Sequence, residues 1–323
     1  MSPVRDAKEG AFGAIAQRPT AQNPEGISEL SPGLPPGYPG LGRTSTTNPE
    51  GVVESPLNMK RNPVKAALKE GTAQIGTWLS LSSPFAARYM ARTGFHWLTL
   101  DMEHSPVDWE TAAMIFGSIA DAGGVPLARV PFTSMENVKR CLDAGAFGIV
   151  FPMCNSVEEA ELAVAACKYP PTGQRSIGGG LHALNFGGAP GEYYQRANDE
   201  ILVVIQAEHV LAVERADAIF AVPGVDAMFV GPNDLLSSMG KTPAMESDDP
   251  AFVDALRHLK KTAEHHGIAP GLHVSDAATA KRRMTEGWKF IAIASELAFM
   301  LAGAKETVSG AIGEDGGPGV ARY

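Results

Sequence analysis

Long apolar runs are missing from these 323 residues. No stretch approaches the ~18 consecutive hydrophobic residues of a membrane-spanning helix. Cysteine is scarce: Cys141, Cys154 and Cys167 have no metal-type spacing and cannot form an even disulfide set. They read as thiols in a reducing compartment. Positive charge is in deficit, with 27 Lys and Arg against 36 Asp and Glu and a net charge of −9. Nucleic acid and anionic membrane surfaces are bound through clustered cations, so neither is expected as a partner. An apolar h-region near the N-terminus is absent, and the acidic Asp6 and Glu9 argue against a transit peptide. The expected location is the cytoplasm. No Gly-x-Gly-x-x-Gly follows the first strand candidate, which removes the dinucleotide-binding variant of a doubly wound sheet.

What is present divides into two kinds of chain. Residues 1–60 hold nine of the 24 prolines, with Gly, Ser, Thr and Asn dense around them. Such a segment buries too little apolar surface to offset its ordering entropy, so a disordered N-terminal extension is expected. Residues 61–310 form the globular domain, and 311–323 a flexible C-terminal tail. Within the domain, strand-like runs at 74–81, 96–101, 125–130, 147–152, 201–208, 226–231, 268–273 and 290–294 alternate with helical patterns such as 109–122, 135–144 and 250–266. Gly94, Gly123, Gly145, Gly267 and Gly287 stand where helices should stop. Eight strands with helical crossovers predict an α/β fold, the TIM (β/α)8 barrel.

One stretch carries the chemistry. Ile201-Leu202-Val203-Val204-Ile205 reads as a strand buried on both faces, and it breaks into Gln206 and Glu208. Side chains at i and i+2 leave a strand on the same side, so both address one spot. Ala227-Met228-Phe229-Val230 repeats the pattern and ends in Gly231-Pro232-Asn233-Asp234. Two buried strands each ending in a carboxylate point to one divalent ion between neighbouring strand ends. The alternative is that Glu208 and Asp234 cap helices or join ordinary ion pairs. A barrel gathers its catalytic residues at the carboxyl ends of the strands. Those ends also carry Trp78, Asp101, Glu103, His104, Arg129, His273, Ser295 and Glu296. Asp101 has a capping alternative, His104 a surface one and Trp78 a core one. Arg129 emerges from the apolar run 125–128 and needs an anionic partner or ligand.

The motifs Leu100-Asp101-Met102-Glu103-His104, Ala128-Arg129-Val130-Pro131, Leu142-Asp143-Ala144-Gly145, Tyr169-Pro170-Pro171-Thr172-Gly173-Gln174-Arg175, Gln206-Ala207-Glu208 and Phe229-Val230-Gly231-Pro232-Asn233-Asp234 occur in order. Together they resemble the HpcH/HpaI aldolase family over roughly residues 70 to 303. The resemblance implies a class II pyruvate aldolase of the hydroxy-oxo-heptanedioate type, a lyase that joins or splits pyruvate enolate and an aldehyde in 4-hydroxy-2-oxo acids. It implies that Glu208 and Asp234 bind a divalent ion (Mg²⁺, Mn²⁺ or Co²⁺). Gln206, Asn233, Asp234, Gly231 and Pro232, with Trp78, would hold the substrate. Arg129 would lie against the enolate oxygen, His104 would be the base with Asp143 raising its basicity, and Asp101 would assist. Two departures are visible: Met102 where a small residue is expected, and His209 where Ser or Thr is usual. The resemblance further implies a homo-hexamer, a trimer of dimers with the terminal helix exchanged between subunits. Two other enzyme readings use the same site, oxaloacetate decarboxylation and citrate-lyase-like cleavage of an acyl-CoA. A non-catalytic barrel with a binding tail is the third. A lysine Schiff base needs a lysine at a carboxyl strand end, and Lys139, Lys260, Lys261, Lys281 and Lys305 all fall in helical patterns.

Overall fold

In the computed structural model, which describes residues 59–312, eight parallel strands close into a barrel in sequence order. They are β1 (Gln74–Leu79), β2 (Trp97–Asp101), β3 (Val125–Arg129) and β4 (Gly148–Phe151), then β5 (Leu202–Gln206), β6 (Ala227–Val230), β7 (Ala269–Val274) and β8 (Phe290–Ser295). β8 pairs back onto β1. The expected TIM barrel is the fold, and every strand lies where the apolar runs placed it. The sequence extension and tail, 1–60 and 311–323, fall outside the described residues except at their inner ends. There Met59 is buried and the backbone N–H of Lys60 donates to the Phe186 carbonyl at 2.8 Å.

Helices start where side chains can take up the free N–H groups of a first turn. Asn62, Ser83, Asp108, Ser134, Ser156 and Asp276 each accept from a backbone N–H two or three residues ahead. Several helices escape sequence periodicity, among them Leu181–Asn185, Val210–Glu214 and Ala216–Phe220. At five residues each they span barely more than a turn, too short for an apolar stripe to repeat. The helix Pro63–Lys69 closes the amino-terminal mouth. Asn62 Nδ2 donates to the Phe147 and Glu200 carbonyls, and Lys65 Nζ donates to the Ile201 carbonyl and pairs with Asp226.

The barrel interior follows from register. Gly76 lies beside Trp97, Trp97 beside Val125, and Phe229 beside Gly271, which in turn faces Phe290. Residues on this parity point inward, and large and small alternate around the ring as a tapering interior requires. Trp97 and Phe290 stack with ring centroids 4.2 Å apart. They fit because Gly76 has no side chain: a Cβ there would stand 2.0 Å from the Trp97 ring.

The last helix, Glu296–Ile312, behaves differently from the others. Only Glu296 is buried, while Met300, Leu301, Val308 and Ile312 are all exposed. Among the described residues no helix is long and apolar enough to cross a membrane.

Gly76→Ala should therefore destabilise the barrel by about 3 kcal/mol or more, because the Trp97 indole is fixed by stacking and cannot retreat. Urea unfolding followed by tryptophan fluorescence measures this, and a shift below ~0.5 kcal/mol would contradict the packing described.

Candidate active site

The carboxyl end of β5 supplies the centre of the site. Gln206 and Glu208 point the same way, and Gln206 Nε2 donates to Glu208 Oε2 at 2.6 Å. Glu208 Oε1 accepts from the backbone N–H of Met153 at 2.9 Å, which the chain presents by holding Met153 at φ 50° after β4. Glu208 is 1% exposed. Its own space exists because Gly231 follows β6: a Cβ at that position would lie 2.2 Å from Glu208 Oε2. Burial pushes the Glu208 carboxyl up to about 7; the Met153 hydrogen bond opposes this and the charge of Asp234 adds to it. Asp234 sits in the first turn of the helix Pro232–Ser238. Neither acid follows its bland alternative. The cap after β5 is His209, whose Nδ1 accepts from the Leu211 N–H, and no cation forms a salt bridge with Glu208 or Asp234 among the described residues.

Across the barrel mouth, β2 and β3 hold a charged cluster. Arg129 Nε donates to Asp101 Oδ1 at 3.0 Å and Nη2 to Oδ2 at 2.6 Å, a bidentate fork. Nη1 of the same guanidinium lies 3.2 Å from Glu103 Oε2, and its plane covers the Trp78 ring at 4.6 Å. Burial weakens the Arg129 charge, but Asp101 and Glu103 outweigh it and raise the guanidinium above its ordinary value. Asp101 also accepts from the backbone N–H groups of Glu103 and His104, which shapes the turn that delivers His104 to the rim. His104 is well exposed there, 3.7 Å from Glu103.

Trp78, Asp101, His104, Arg129, Gln206, Gly231, Pro232, Asn233 and Asp234 line one cavity of about 280 Å³ at the carboxyl end of the barrel. Ser80, Phe229, His273 and Ser295 complete the wall. Phe229 and His273 share the inward parity; His273 was expected at its strand end, while Phe229 was read only as part of a buried strand. Ser80 and Ser295 become neighbours of the site only when β8 closes onto β1. No lysine lines the cavity.

One expected pairing is not made within this chain. Asp143 accepts from Arg175 Nη2 at 2.7 Å, and it is absent from the cavity wall; the carboxylate beside His104 is Glu103. Arg175 is itself buried, with Nη1 donating to Tyr193 Oη at 2.9 Å. Both sequence departures turn out to leave the cavity wall intact. The thioether of Met102 points into the core, 3.5 Å from Cys141 Sγ. His209 does the capping that Ser or Thr would do.

The family model described as HpcH/HpaI aldolase/citrate lyase matches residues 74–302. This chain belongs to the HpcH/HpaI family. It is 37% identical over 253 residues to the hydroxypyruvate/pyruvate aldolase of Paraburkholderia phytofirmans, covering 76% of this chain and 96% of that relative. It is 36% identical over 236 residues to the 5-keto-4-deoxy-D-glucarate aldolase of Escherichia coli K12, covering 73% and 91%. The crystal structure of an HpcH/HpaI aldolase/citrate lyase family protein from Burkholderia cenocepacia superposes with a TM-score of 0.72 at 32% identity, covering 77% and 98%. As a member of this family the chain is a carbon–carbon lyase.

The donor set at the centre of this lyase's cavity consists of hard oxygen atoms. Glu208 and Asp234 are close enough for the Asp234 charge to raise the Glu208 carboxyl, and the buried Gln206 Oε1 has no hydrogen-bond partner. Oxygen donors of this kind fit a small divalent cation that keeps positions free for substrate and water. Such an ion would offset the burial, and the added charge of Asp234, that raise Glu208.

The sign of that effect can be tested. The folded-state value of Glu208, about 7, lies above its ordinary 4.5, so metal-free stability is greatest below that ordinary value and falls as pH rises through 7. Glu208→Gln removes the charge, and Gln206 can turn its amide to pair with the new one. In EDTA at pH 8 the variant should be more stable than wild type by on the order of 2 kcal/mol, with the gap closing near pH 5. Millimolar Mg²⁺ should raise the melting temperature of wild type and leave the variant unchanged. Equal pH profiles for the two proteins would contradict this account.

Proposed function

We propose that this lyase is a divalent-metal-dependent pyruvate aldolase acting on 4-hydroxy-2-oxo acids. The observation that carries the reading is a cavity lined by Asp234, Gln206 and Arg129 and by no lysine, with the buried Glu208 hydrogen-bonded to Gln206 directly behind its wall. A Schiff-base route has no nucleophile there, whereas an enolate route has the groups it needs. A bound divalent ion supplies Lewis acidity at the 2-oxo group of the substrate. Glu208 and Asp234 would hold that ion, with Gln206 orienting Glu208 through their hydrogen bond.

The remaining steps belong to the side chains. In the cleavage direction His104 takes the proton of the 4-hydroxyl. The C3–C4 bond then breaks, its electron pair moves toward the 2-oxo group, and the aldehyde departs. His104 returns the proton to C3, giving pyruvate. An imidazole is suited to this because its ordinary pKa of ~6.5 lies near working pH, and its exposure lets water exchange protons with it. Arg129 is held rigid by Asp101 and by Trp78, so its charge is already in place where the enolate oxygen forms. Gly231, Pro232 and Asn233 leave room for the substrate carboxylate beside the helix start. The two relatives described above support the substrate class: one is named for hydroxypyruvate and pyruvate, the other for 5-keto-4-deoxy-D-glucarate. A single arginine in a cavity of this size suits a small 2-oxo acid better than the phosphates of coenzyme A.

The assembly reading belongs with this function. Met300, Leu301, Val308 and Ile312 are an uncovered apolar surface on one terminal helix, more than a monomer normally leaves in contact with water. We infer a homo-oligomer, a trimer of dimers, in which that helix packs on a neighbouring subunit.

Pyruvate release from 4-hydroxy-2-oxo acids, assayed with Mg²⁺, Mn²⁺ and Co²⁺ in parallel, tests the reaction. Asp234→Ala should abolish it, and Arg129→Lys should lower kcat by about 100-fold, since an ammonium retains the charge but not the fork. Full activity of EDTA-treated wild type would sink the metal route. For the assembly, light scattering should give about six times the 34.0 kDa chain mass, and an active monomer at micromolar concentration would overturn it.

A further inference from the structure

His273 lines the cavity but has no part in the chemistry described above. It lies at the end of β7 on the inward parity, opposite Ala292 of β8. Its Nε2 is 2.8 Å from the carbonyl oxygen of Ala294. A carbonyl oxygen can only accept, so Nε2 carries the proton and donates. In the neutral ring this leaves a lone pair on Nδ1. Burial holds the ring neutral, lowering its pKa to about 4, and the nearby Arg129 charge acts in the same direction.

The tautomer is set by the backbone. Pairing between β1 and β8 shifts register between Gly76 and Trp78, where Trp78 meets Ser295. At this irregularity Ala294 adopts φ 46°, a left-handed conformation that a non-glycine residue rarely holds. Irregularities of this kind re-aim groups at the rims of barrels. Here the outcome is a carbonyl facing the imidazole.

Nδ1 has no partner among the described residues, and it is not one of the fully enclosed unpartnered atoms. Trp78 and Phe229 flank the ring, with centroids at 5.9 and 6.4 Å. The position therefore offers a neutral acceptor between two aromatic walls. A lone pair there repels carboxylate and phosphate oxygens and has nothing to give a carbonyl. It matches an O–H donor on a neutral carbon chain.

We propose that His273 Nδ1 accepts a hydrogen bond from a hydroxyl group of the substrate, and that this makes the enzyme prefer hydroxylated substrates to their deoxy counterparts. This rests on reading the cavity as the place where a 2-oxo acid and an aldehyde meet. The hydroxyl can belong to either partner, as in hydroxypyruvate against pyruvate or glycolaldehyde against acetaldehyde.

The experiment has two arms on the full-length, Mg²⁺-loaded protein. In the first, kcat/KM is measured for the four donor and acceptor combinations with wild type, His273→Leu and His273→Asn. The leucine variant should lose about tenfold of the preference for the hydroxylated member of one pair, as loss of one hydrogen bond predicts. The asparagine variant, whose Oδ1 takes the place of Nδ1, should recover much of it. The pair whose ratio falls identifies the partner that bears the hydroxyl. A uniform loss across all four combinations, or no change in either ratio, would overturn the proposal. In the second arm, side-chain ¹⁵N spectra of the wild type should show His273 as the Nε2–H tautomer. Its Nδ1 resonance should move with a hydroxylated ligand and stay still with the deoxy one. A proton on Nδ1, or a resonance unmoved by hydroxypyruvate and glycolaldehyde alike, would also overturn it. Absence of carbon–carbon bond chemistry in the wild type would instead count against the aldolase reading, and the resonance titration would still decide whether His273 binds a hydroxyl.

Discussion

Closing eight parallel strands on themselves constrains everything else in this molecule. Each strand has one inward parity, and closure forces those parities to agree around the ring. Gln206 cannot face inward unless Phe229 beside it does so too, and the same rule carries to Gly271, Phe290 and Gly76. The interior must then be filled without collision. Trp97, Phe290 and Phe229 do this because Gly76 and Gly271 yield their space. At the carboxyl end the same parity continues past the ladder, so Glu208 and Gly231 meet where a Cβ on Gly231 would clash with the Glu208 carboxylate.

Within that frame the site is an incomplete charge balance. Asp101 and Glu103 are answered by Arg129, and the fork between them leaves the guanidinium with little freedom. Glu208 and Asp234 form no salt bridge among the described residues, and Glu208 feels Arg129 only at longer range. Removing a carboxylate from water is costly, and Glu208 responds by titrating near neutrality rather than in the ordinary carboxylate range. Gln206 and the Met153 N–H hold Glu208 in one orientation.

Most of the fold was legible in the chain, and the reasons are local. An apolar run such as Ile201–Ile205 can only be a strand with both faces covered, and Asp108, Ser134 or Asp276 before an apolar-periodic stretch marks where a helix begins. The charged residues at strand ends were legible for the same reason, since a carboxylate or guanidinium closing an apolar run requires a partner. The short helices were not, because one turn has no period to detect. The link between Asp143 and Arg175 joins residues 32 apart across a connection whose path no local pattern specifies.

By itself the sequence determined the strand count, the shared side of Gln206 and Glu208, and the gathering of Asp101, His104, Arg129, Gln206, Glu208 and Asp234 at the strand ends, because apolar runs and the charges that close them are properties of neighbouring residues. Only the tertiary structure decided that Asp143 pairs with Arg175, that Met102 turns into the core, and that Ser80 reaches the cavity. The same holds for the Ala294 carbonyl that sets the tautomer of His273. Each of these depends on strands or loops that meet only when β8 pairs with β1 or when a turn takes a particular backbone conformation. That is information about closure and dihedral angles, and residue type at a single position does not carry it.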